Sequence, residues 1–306
     1  MANYNLSWMN DQARNNPAGF VEACEAHYQE QINRVAEQIA AKQAERPIAL
    51  LCGPSSSGKT TTANRLHRAM GKLGIHVETI SMDDYYLSRG EYEMPWDDEN
   101  EVYDFESPLC MDLPLLHDHL ARLVRGEEIE VPTFDFEKKK RTDEVKRLAL
   151  DPGEIVVIEG IHAFNDVIMG GLEHLATGIY ISVDSAVDMG GWTMTNDQLR
   201  FCRRAVRDAN FRGAPVETTI QQWKSIRRGE RLYIDPFRKN VTHTIDSYLP
   251  YETGIFMHIL NGSLSEHEQE MRGAGLDGVL RAAGQFVQTD YLPHMPESSV
   301  LHEFLG

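Results

Sequence analysis

The run Ile48-Ala49-Leu50-Leu51-Cys52 passes directly into Gly53-Pro54-Ser55-Ser56-Ser57-Gly58-Lys59-Thr60, and this junction constrains the 306-residue chain more than any other feature. A continuous apolar run between Pro47 and Gly53 predicts a strand buried on both faces. The eight residues from Gly53 to Thr60 match G-x-x-x-x-G-K-[ST]. Gly53 and Gly58 let the backbone curl, so that the N–H groups around Ser55, Ser56 and Ser57 point inward at phosphate oxygens. A helix is expected from about Lys59 to Leu73, and its N-terminal dipole faces the same anion. In this motif Lys59 reaches the β- and γ-phosphates and the Thr60 hydroxyl ligates Mg2+. Strand, loop and helix come in the order a triphosphate-binding loop requires.

Further strands are predicted at Val77–Ser81, Ile155–Ile158, Ile179–Val183 and Thr244–Ser247. Helical patterns separate most of them, notably Leu113–Val124 and Gln198–Asn210, which predicts an α/β fold with a mainly parallel sheet. Apolar residues at three- and four-residue steps predict a packing helix over Gly19–Ala44. Ile129–Phe136 alternates apolar and polar residues before Lys138-Lys139-Lys140-Arg141. It reads as a β-hairpin whose basic tip lies in water, a solvated turn or an anion contact. Beyond Ser263, Ser265-Glu266-His267-Glu268 resembles a capping box opening a helix, and Val279–Val287 is a second amphipathic stretch. The expected organisation is a helical segment over 1–45, a core over 46–262 and a helical extension over 263–306.

Thirty basic residues against 47 acidic ones give a formal charge of −17. That balance argues against a nucleic-acid-binding face and against docking on anionic lipid, but leaves room for a small anion in a local cationic pocket. There is no apolar run of 18 residues, and MANYNLSWMNDQARNN lacks the order of a secretory signal. Cys24, Cys52, Cys110 and Cys202 are scattered, so reduced thiols and a cytoplasmic location are expected.

Chemistry-bearing residues fall at the predicted strand ends. Ser81-Met82-Asp83-Asp84 lies at the end of the second strand, and the carboxyl ends of parallel strands face the ligand crevice. Asp83 or Asp84 would there accept a proton from an attacking hydroxyl and sit near the metal, Asp83 being favoured. The competing reading is plain turn chemistry. Glu159 follows the third strand, the layout of a carboxylate that organises Mg2+. Gln198–Gly213 holds Arg200, Arg203, Arg204, Arg207 and Arg212, and several share a helix face. Arginines placed over a transferring phosphoryl group stabilise its charge, while Asp197 and Asp208 are available as structural partners.

GPSSSGKTT (Gly53–Thr61), MDDYY, YDFESP (Tyr103–Pro108), VPTFDF (Val131–Phe136), VVIEGIHAFN and RRAVRDANFRG (Arg203–Gly213) occur in that order. Together they resemble the phosphoribulokinase and uridine kinase family, most closely its bacterial uridine kinase-like branch. RRGERLYIDPF, SYLPYE and SSVLHEFLG extend the resemblance to the chain's last residue. It implies a P-loop NTPase fold with a β-hairpin that binds the acceptor and an arginine-rich helical lid. It implies a kinase moving the γ-phosphoryl group of ATP or GTP, with Mg2+, to the 5′-hydroxyl of uridine or cytidine. Asp83 matches the base, and Lys59, Thr60 and Thr61 match phosphate-loop contacts. Thr60, Asp83 and Glu159 match the metal side. Tyr86, Phe134 and Arg204 match the acceptor side, and Arg207 and Arg212 the lid. By analogy with relatives that form dimers or tetramers, a homo-oligomer is expected.

The acceptor side departs from the pattern. Leu109 stands where typical uridine kinases carry an aspartate, Lys139 is near where a base-reading histidine is expected, and Ala214 replaces an arginine. Asp104 or Glu106 is the candidate substitute for gripping ribose. A related kinase with another acceptor (a sugar phosphate, pantothenate or a different nucleoside) is the first rival reading. A regulatory nucleotide switch is the second, disfavoured because the chain lacks N-K-x-D and its D-x-x-G at Asp188–Gly191 is a frequent chance match.

Overall fold

The computed structural model describes residues 3–135 and 138–306. Seven strands carry the architecture: β1 (Ile48–Cys52), β2 (Val77–Ser81), β3 (Ile129–Asp135), β4 (Lys140–Leu148), β5 (Ile155–Glu159), β6 (Ala176–Ser182) and β7 (His243–Asp246). Five of them form one sheet in the order β7-β6-β1-β5-β2, and every pairing is parallel. β1 takes the middle because it has no polar side to expose. Ala49 and Leu51 enter the core on one face, and Ile48, Leu50 and Cys52 the core on the other. β5 divides in the same way, Ile155 and Val157 against Val156 and Ile158. This is period-two geometry in a sheet covered on both sides.

The helices that cover it are α1 (Leu6–Asn15), α2 (Pro17–Ala40), α3 (Lys59–Lys72), α4 (Leu113–Val124), α5 (Asn196–Arg212), α6 (Val216–Tyr233) and α7 (Glu252–Leu260). Tyr28 and Ile32 of α2, Leu66 and Met70 of α3, Phe201 of α5, Trp223 of α6 and Phe256 of α7 fill one core. Leu116 and Leu120 of α4 fill the other, with Phe164 and the hairpin residues Ile129, Val131 and Leu148. Because the sheet is parallel, Cys52, Ser81, Glu159, Ser182 and Asp246 all end at the same edge.

Several boundaries differ from expectation for identifiable reasons. α2 starts at Pro17, not Gly19, since the Asn16 side chain accepts the Gly19 N–H at 3.2 Å and Pro17 suits a first helical position. α1 precedes it, and Asn3–Asn5 pairs in parallel with Ala186–Asp188. No helix is predicted over 216–233, yet α6 occupies it. The stretch Ser265–Glu268 makes no capping box; a 3-10 turn over Ser265–His267 leads into a helix over Glu268–Gly273. The capping box forms instead at α5, where Thr195 and Gln198 exchange side-chain and backbone bonds of 3.4 and 3.0 Å. In place of a helix over Val279–Val287, Asp277–Ala282 is helical and Gly284, at φ +73°, ends the next turn.

β3 and β4 form the expected hairpin, Ile129 opposite Leu148 and Phe134 opposite Arg141, with an irregularity at Pro132. Phe136 lies outside the described residues. The tip is not uniformly a basic patch in water. Lys139 and Lys140 are exposed and Lys138 pairs with Asp135 at 2.8 Å. Arg141 turns inward and donates to the Tyr85 and Tyr86 carbonyls and to Asp112, each at 3.1 Å. It clamps the hairpin to the segment after β2 and leaves the anion-binding reading without its guanidinium. The four cysteines are free thiols. Among the described residues no helix is long and apolar enough to cross a membrane.

Two arginines of α5 also differ from the expected phosphate-facing set. Arg200 is buried and donates to Glu230 at 2.7 Å. Arg203 is fully buried, with Nε and Nη2 each 2.7 Å from a Glu252 oxygen. It donates further to the Ser247 hydroxyl and carbonyl, at 2.9 and 2.6 Å, and to the Ser56 carbonyl at 3.4 Å. Truncating one partner of such a pair strands the other charge. Arg203→Met is therefore expected to lower unfolding free energy in urea by about 3–5 kcal/mol, with much of the loss recovered in Arg203→Met/Glu252→Leu. A loss below about 1 kcal/mol would show that this pair fastens nothing.

Candidate active site

The phosphate loop spans the gap between β1 and α3 on a backbone that only small residues permit. A Cβ on Gly53 would lie 2.0 Å from the Ile181 carbonyl oxygen. Gly58 sits at φ +84° as the N-cap of α3, and Ser56 takes the left-handed region at φ +60°. Alternation of right- and left-handed residues turns successive N–H groups into one concavity. The Ser56 and Ser57 hydroxyls are buried without a hydrogen-bond partner among the described residues. Lys59 folds back over the loop, its Nζ 3.1 Å from the Pro54 carbonyl.

Beside the loop, β5 and β2 deliver two carboxylates. Ser81 and Glu159 are register partners, and the Ser81 hydroxyl donates to Glu159 Oε1 at 2.8 Å. Thr60 Oγ1 lies 3.4 Å from the same oxygen. Burial, reinforced by the charge of Asp83, pushes the Glu159 carboxyl up to about 7 against the pull of Lys59. Asp83 comes next in the 3-10 turn Met82–Tyr85, its backbone N–H donating to Ser81 Oγ at 3.3 Å. Its side chain is open to solvent but set deep among protein atoms. Desolvation raises its pKa, while Lys59, Arg212 and Arg207 draw it down. Thr60, Ser81, Asp83 and Glu159 offer hard oxygens of the type Mg2+ prefers. Sequence reading passed over Ser81; its place at the strand's carboxyl end was the available signal.

Three arginines from α5 close the other side. Arg204, expected on the acceptor side, instead joins Arg207 at the phosphate loop, and both donate to the Ser55 hydroxyl, at 2.6 and 3.1 Å. Asp208 is buried and collects Arg204 at 3.1 Å, Arg212 at 3.2 Å and Arg207 at 3.9 Å. Burial and the charges of Arg212 and Arg204 bring the Arg207 pKa down to about 10. Its guanidinium thus remains a cation held in a crowded, positive setting.

On the hairpin side Tyr86 and Phe134 pack as an aromatic pair, ring centroids 5.7 Å apart. Glu106 reaches the same cleft: burial raises its pKa, while Arg204 and Lys59 lower it. Asp104 does not share that position. It is buried, and Oδ2 accepts from the Tyr233 hydroxyl at 2.7 Å and Arg228 at 3.2 Å, while Oδ1 accepts the Glu106 N–H at 3.1 Å. Asp104 therefore holds the loop that carries Glu106 and presents no spare oxygen to a ligand. Leu109 is 70% exposed. His162, three residues past Glu159, is buried; desolvation first and Lys59 second bring it down to about 4, a neutral ring.

A family model described as the Phosphoribulokinase / Uridine kinase family matches residues 48–252. That span runs from the first residue of β1 to the carboxylate that grips Arg203. A uridine kinase of Borrelia turicatae is 31% identical over 190 residues, covering 62% of this chain and 81% of the relative. One of Deinococcus deserti is 30% identical over 196 residues, covering 63% and 84%. A solved structure described as a possible uridine kinase from Bacillus stearothermophilus aligns over 71% of this chain and 98% of its own, with 19% identity and a TM-score of 0.46.

The raised pKa of Glu159 fixes the sign of one pH effect. Its proton is held more tightly in the folded state than near the unfolded value of about 4.3. The stabilisation this gives is complete below that value and fades as pH rises through about 7. Glu159→Gln, which carries no titrating proton, should gain stability relative to wild type between pH 5 and 8, by on the order of 2 kcal/mol in chelator-treated protein. Denaturation curves showing a pH-independent difference would refute the assignment.

Proposed function

Because the chain belongs to the phosphoribulokinase/uridine kinase family and is a phosphotransferase, we propose that it transfers the γ-phosphoryl group of ATP or GTP to the 5′-hydroxyl of uridine or cytidine. The observation that carries the reading is the convergence of Lys59, Thr60, Asp83 and Glu159 at one sheet edge, with Arg204 and Arg207 facing the phosphate loop. The uridine kinase relatives supply the acceptor class.

In this reading the triphosphate lies in the concave loop, and Lys59 swings from the Pro54 carbonyl to its β- and γ-phosphates. Arg204 and Arg207 exchange the Ser55 hydroxyl for phosphoryl oxygens, where their charge counts most as negative charge spreads in the transition state. Asp83 takes the proton of the acceptor hydroxyl. Desolvation raises its pKa and so strengthens it as a base, while Lys59, Arg212 and Arg207 favour its charged form. Thr60, Asp83 and Glu159 would hold Mg2+, whose charge neutralises the phosphate oxygens. The acceptor's base stacks at Tyr86 and Phe134, and Glu106 takes a ribose hydroxyl. A cytoplasmic enzyme with no nucleic-acid or membrane partner completes the proposal.

A second reading keeps the donor machinery and changes the acceptor to another small alcohol. The engagement of Asp104 by Arg228 and Tyr233 favours it, since one of two candidate ribose contacts is occupied.

With ATP and Mg2+, uridine or cytidine is expected to give the fastest turnover in a panel that includes sugar phosphates, pantothenate and purine nucleosides. Asp83→Asn should lower kcat by roughly 10²–10⁴-fold with a smaller change in KM. Turnover of another alcohol with no signal from either pyrimidine nucleoside would establish the second reading. Near-normal kcat in Asp83→Asn would remove the base from the mechanism.

A further inference from the structure

The α3 N-terminus has an anion that the phosphate loop does not supply. Its N-cap is Gly58, which has no side chain, and the first turn contains no acidic residue. The first intrahelical amide bond comes from Thr62, to the Gly58 carbonyl at 3.0 Å, so the Thr61 N–H remains an orphan donor. Glu303, 242 residues away in sequence, fills the gap. Its Oε2 accepts from the Thr61 hydroxyl at 3.0 Å and from the Thr61 N–H at 3.4 Å. The charge of Glu303 also acts across the cleft, opposing the fall in the Arg207 pKa and adding to the rise of Glu159. A carboxylate thus occupies a backbone donor at the start of α3, near enough to Arg207 and Glu159 to act on their charges.

The segment that delivers it is fastened at several points. The Ser298 carbonyl accepts Arg65 Nε and Nη2 at 2.9 and 2.7 Å. Val300 lies against Gly58, where an added Cβ would come within 2.6 Å of its methyl. Asn210 Nδ2 of α5 donates to the Phe304 and Leu305 carbonyls at 3.0 and 3.3 Å. Phe304 lies under the Arg203 guanidinium, 5.1 Å from centroid to carbon. The segment bridges the loop helix and the arginine-bearing helix, and it lies beyond the residues matched by the family model.

We propose that Glu303 is a resident anion of the donor site, holding the Thr61 end of the phosphate cradle until an incoming polyphosphate displaces its carboxylate, and that it thereby sets donor affinity. The inference rests on the donor-site reading above. One N–H cannot serve two anions, and a carboxylate beside phosphate oxygens repels them in a cleft where water screens poorly. A carboxylate on the helix itself would cap it permanently, whereas one presented on a side chain from the tail can turn away. Nucleotide binding must break the Thr61 contacts of Glu303, and every donor pays that penalty equally.

The test is calorimetric titration of the full chain with ADP and, separately, with inorganic tripolyphosphate, in wild type, Glu303→Gln and Glu303→Ala. Glu303→Gln keeps an oxygen for Thr61 and removes the charge, so the tail stays seated. Both ligands should bind the variants roughly five- to tenfold tighter than wild type, and by a similar factor. Unchanged or weaker binding of ADP in both variants overturns the inference, as does tightening for ADP without tightening for tripolyphosphate. If ADP and tripolyphosphate bind none of the three proteins, the donor-site reading itself falls; if they bind all three equally, only the role of Glu303 does.

Discussion

The buried guanidinium of Arg203 joins four parts of this molecule. It is ion-paired to Glu252 at the start of α7, bonded to Ser247 after β7, and donates to the Ser56 carbonyl inside the phosphate loop. Phe304 of the tail covers it. A charge this deep is tolerable only with its hydrogen bonds filled, and five contacts fill them. The consequence is positional. Ser56 sits at a positive φ that a serine adopts only under constraint, and its carbonyl is one of the groups Arg203 holds. The curl of the loop is therefore tied to α5, the helix that also carries Arg204 and Arg207. Any shift of α5 moves loop and arginines together.

Around that anchor the cleft collects charges that no isolated structural role requires. Asp83, Glu159, Glu106 and Glu303 face Lys59, Arg204, Arg207 and Arg212, and most of these groups shift one another. Burial drives three of the carboxylates, Asp83, Glu106 and Glu159, upward, and the cations oppose it in every case. An arrangement of this kind is poised for a polyanion and a metal, whose charges would satisfy both sets. The protein as a whole is strongly acidic, so the cationic side is a local construction, with Asp208 gathering the arginines that would otherwise repel one another.

How much of this was legible in the sequence depended on whether the deciding interaction was local. β1, β2 and α4 fall where apolar patterning puts them, because burial on both faces or on one stripe is written in consecutive residues. The phosphate loop was legible for the same reason. The arginines of α5 were not separable in sequence, since Arg200, Arg203, Arg204 and Arg207 share composition and spacing, and only partners 30 to 152 residues distant divide them. Arg141 reads as one member of a basic run until Asp112 and the Tyr85 carbonyl claim it. Ser265-Glu266-His267-Glu268 has the letters of a capping box but not the backbone, which enters a 3-10 turn; Thr195 and Gln198 have both. α6 escaped because its face is divided among Trp223, Ile220 and Ile226 with polar residues between, a weak stripe that tertiary packing completes.

The cleft walls around Glu106 and Tyr86 illustrate the same limit. Asp104 and Glu106 are two residues apart and equally plausible as ligand contacts in sequence. In the fold they divide: Asp104 turns toward Arg228 and Tyr233 of α6, and its other oxygen caps the Glu106 N–H. Glu106 is thereby held over the cleft by the residue that does not enter it. Arg141 plays the matching part on the opposite wall, fixing the Tyr85 and Tyr86 carbonyls so that the Tyr86 ring meets Phe134. The two walls of the cleft are thus each set by a buried or half-buried charge outside it. Exchanging wall residues alone would change what the cleft contacts, whereas altering Asp104 or Arg141 would change where its walls stand.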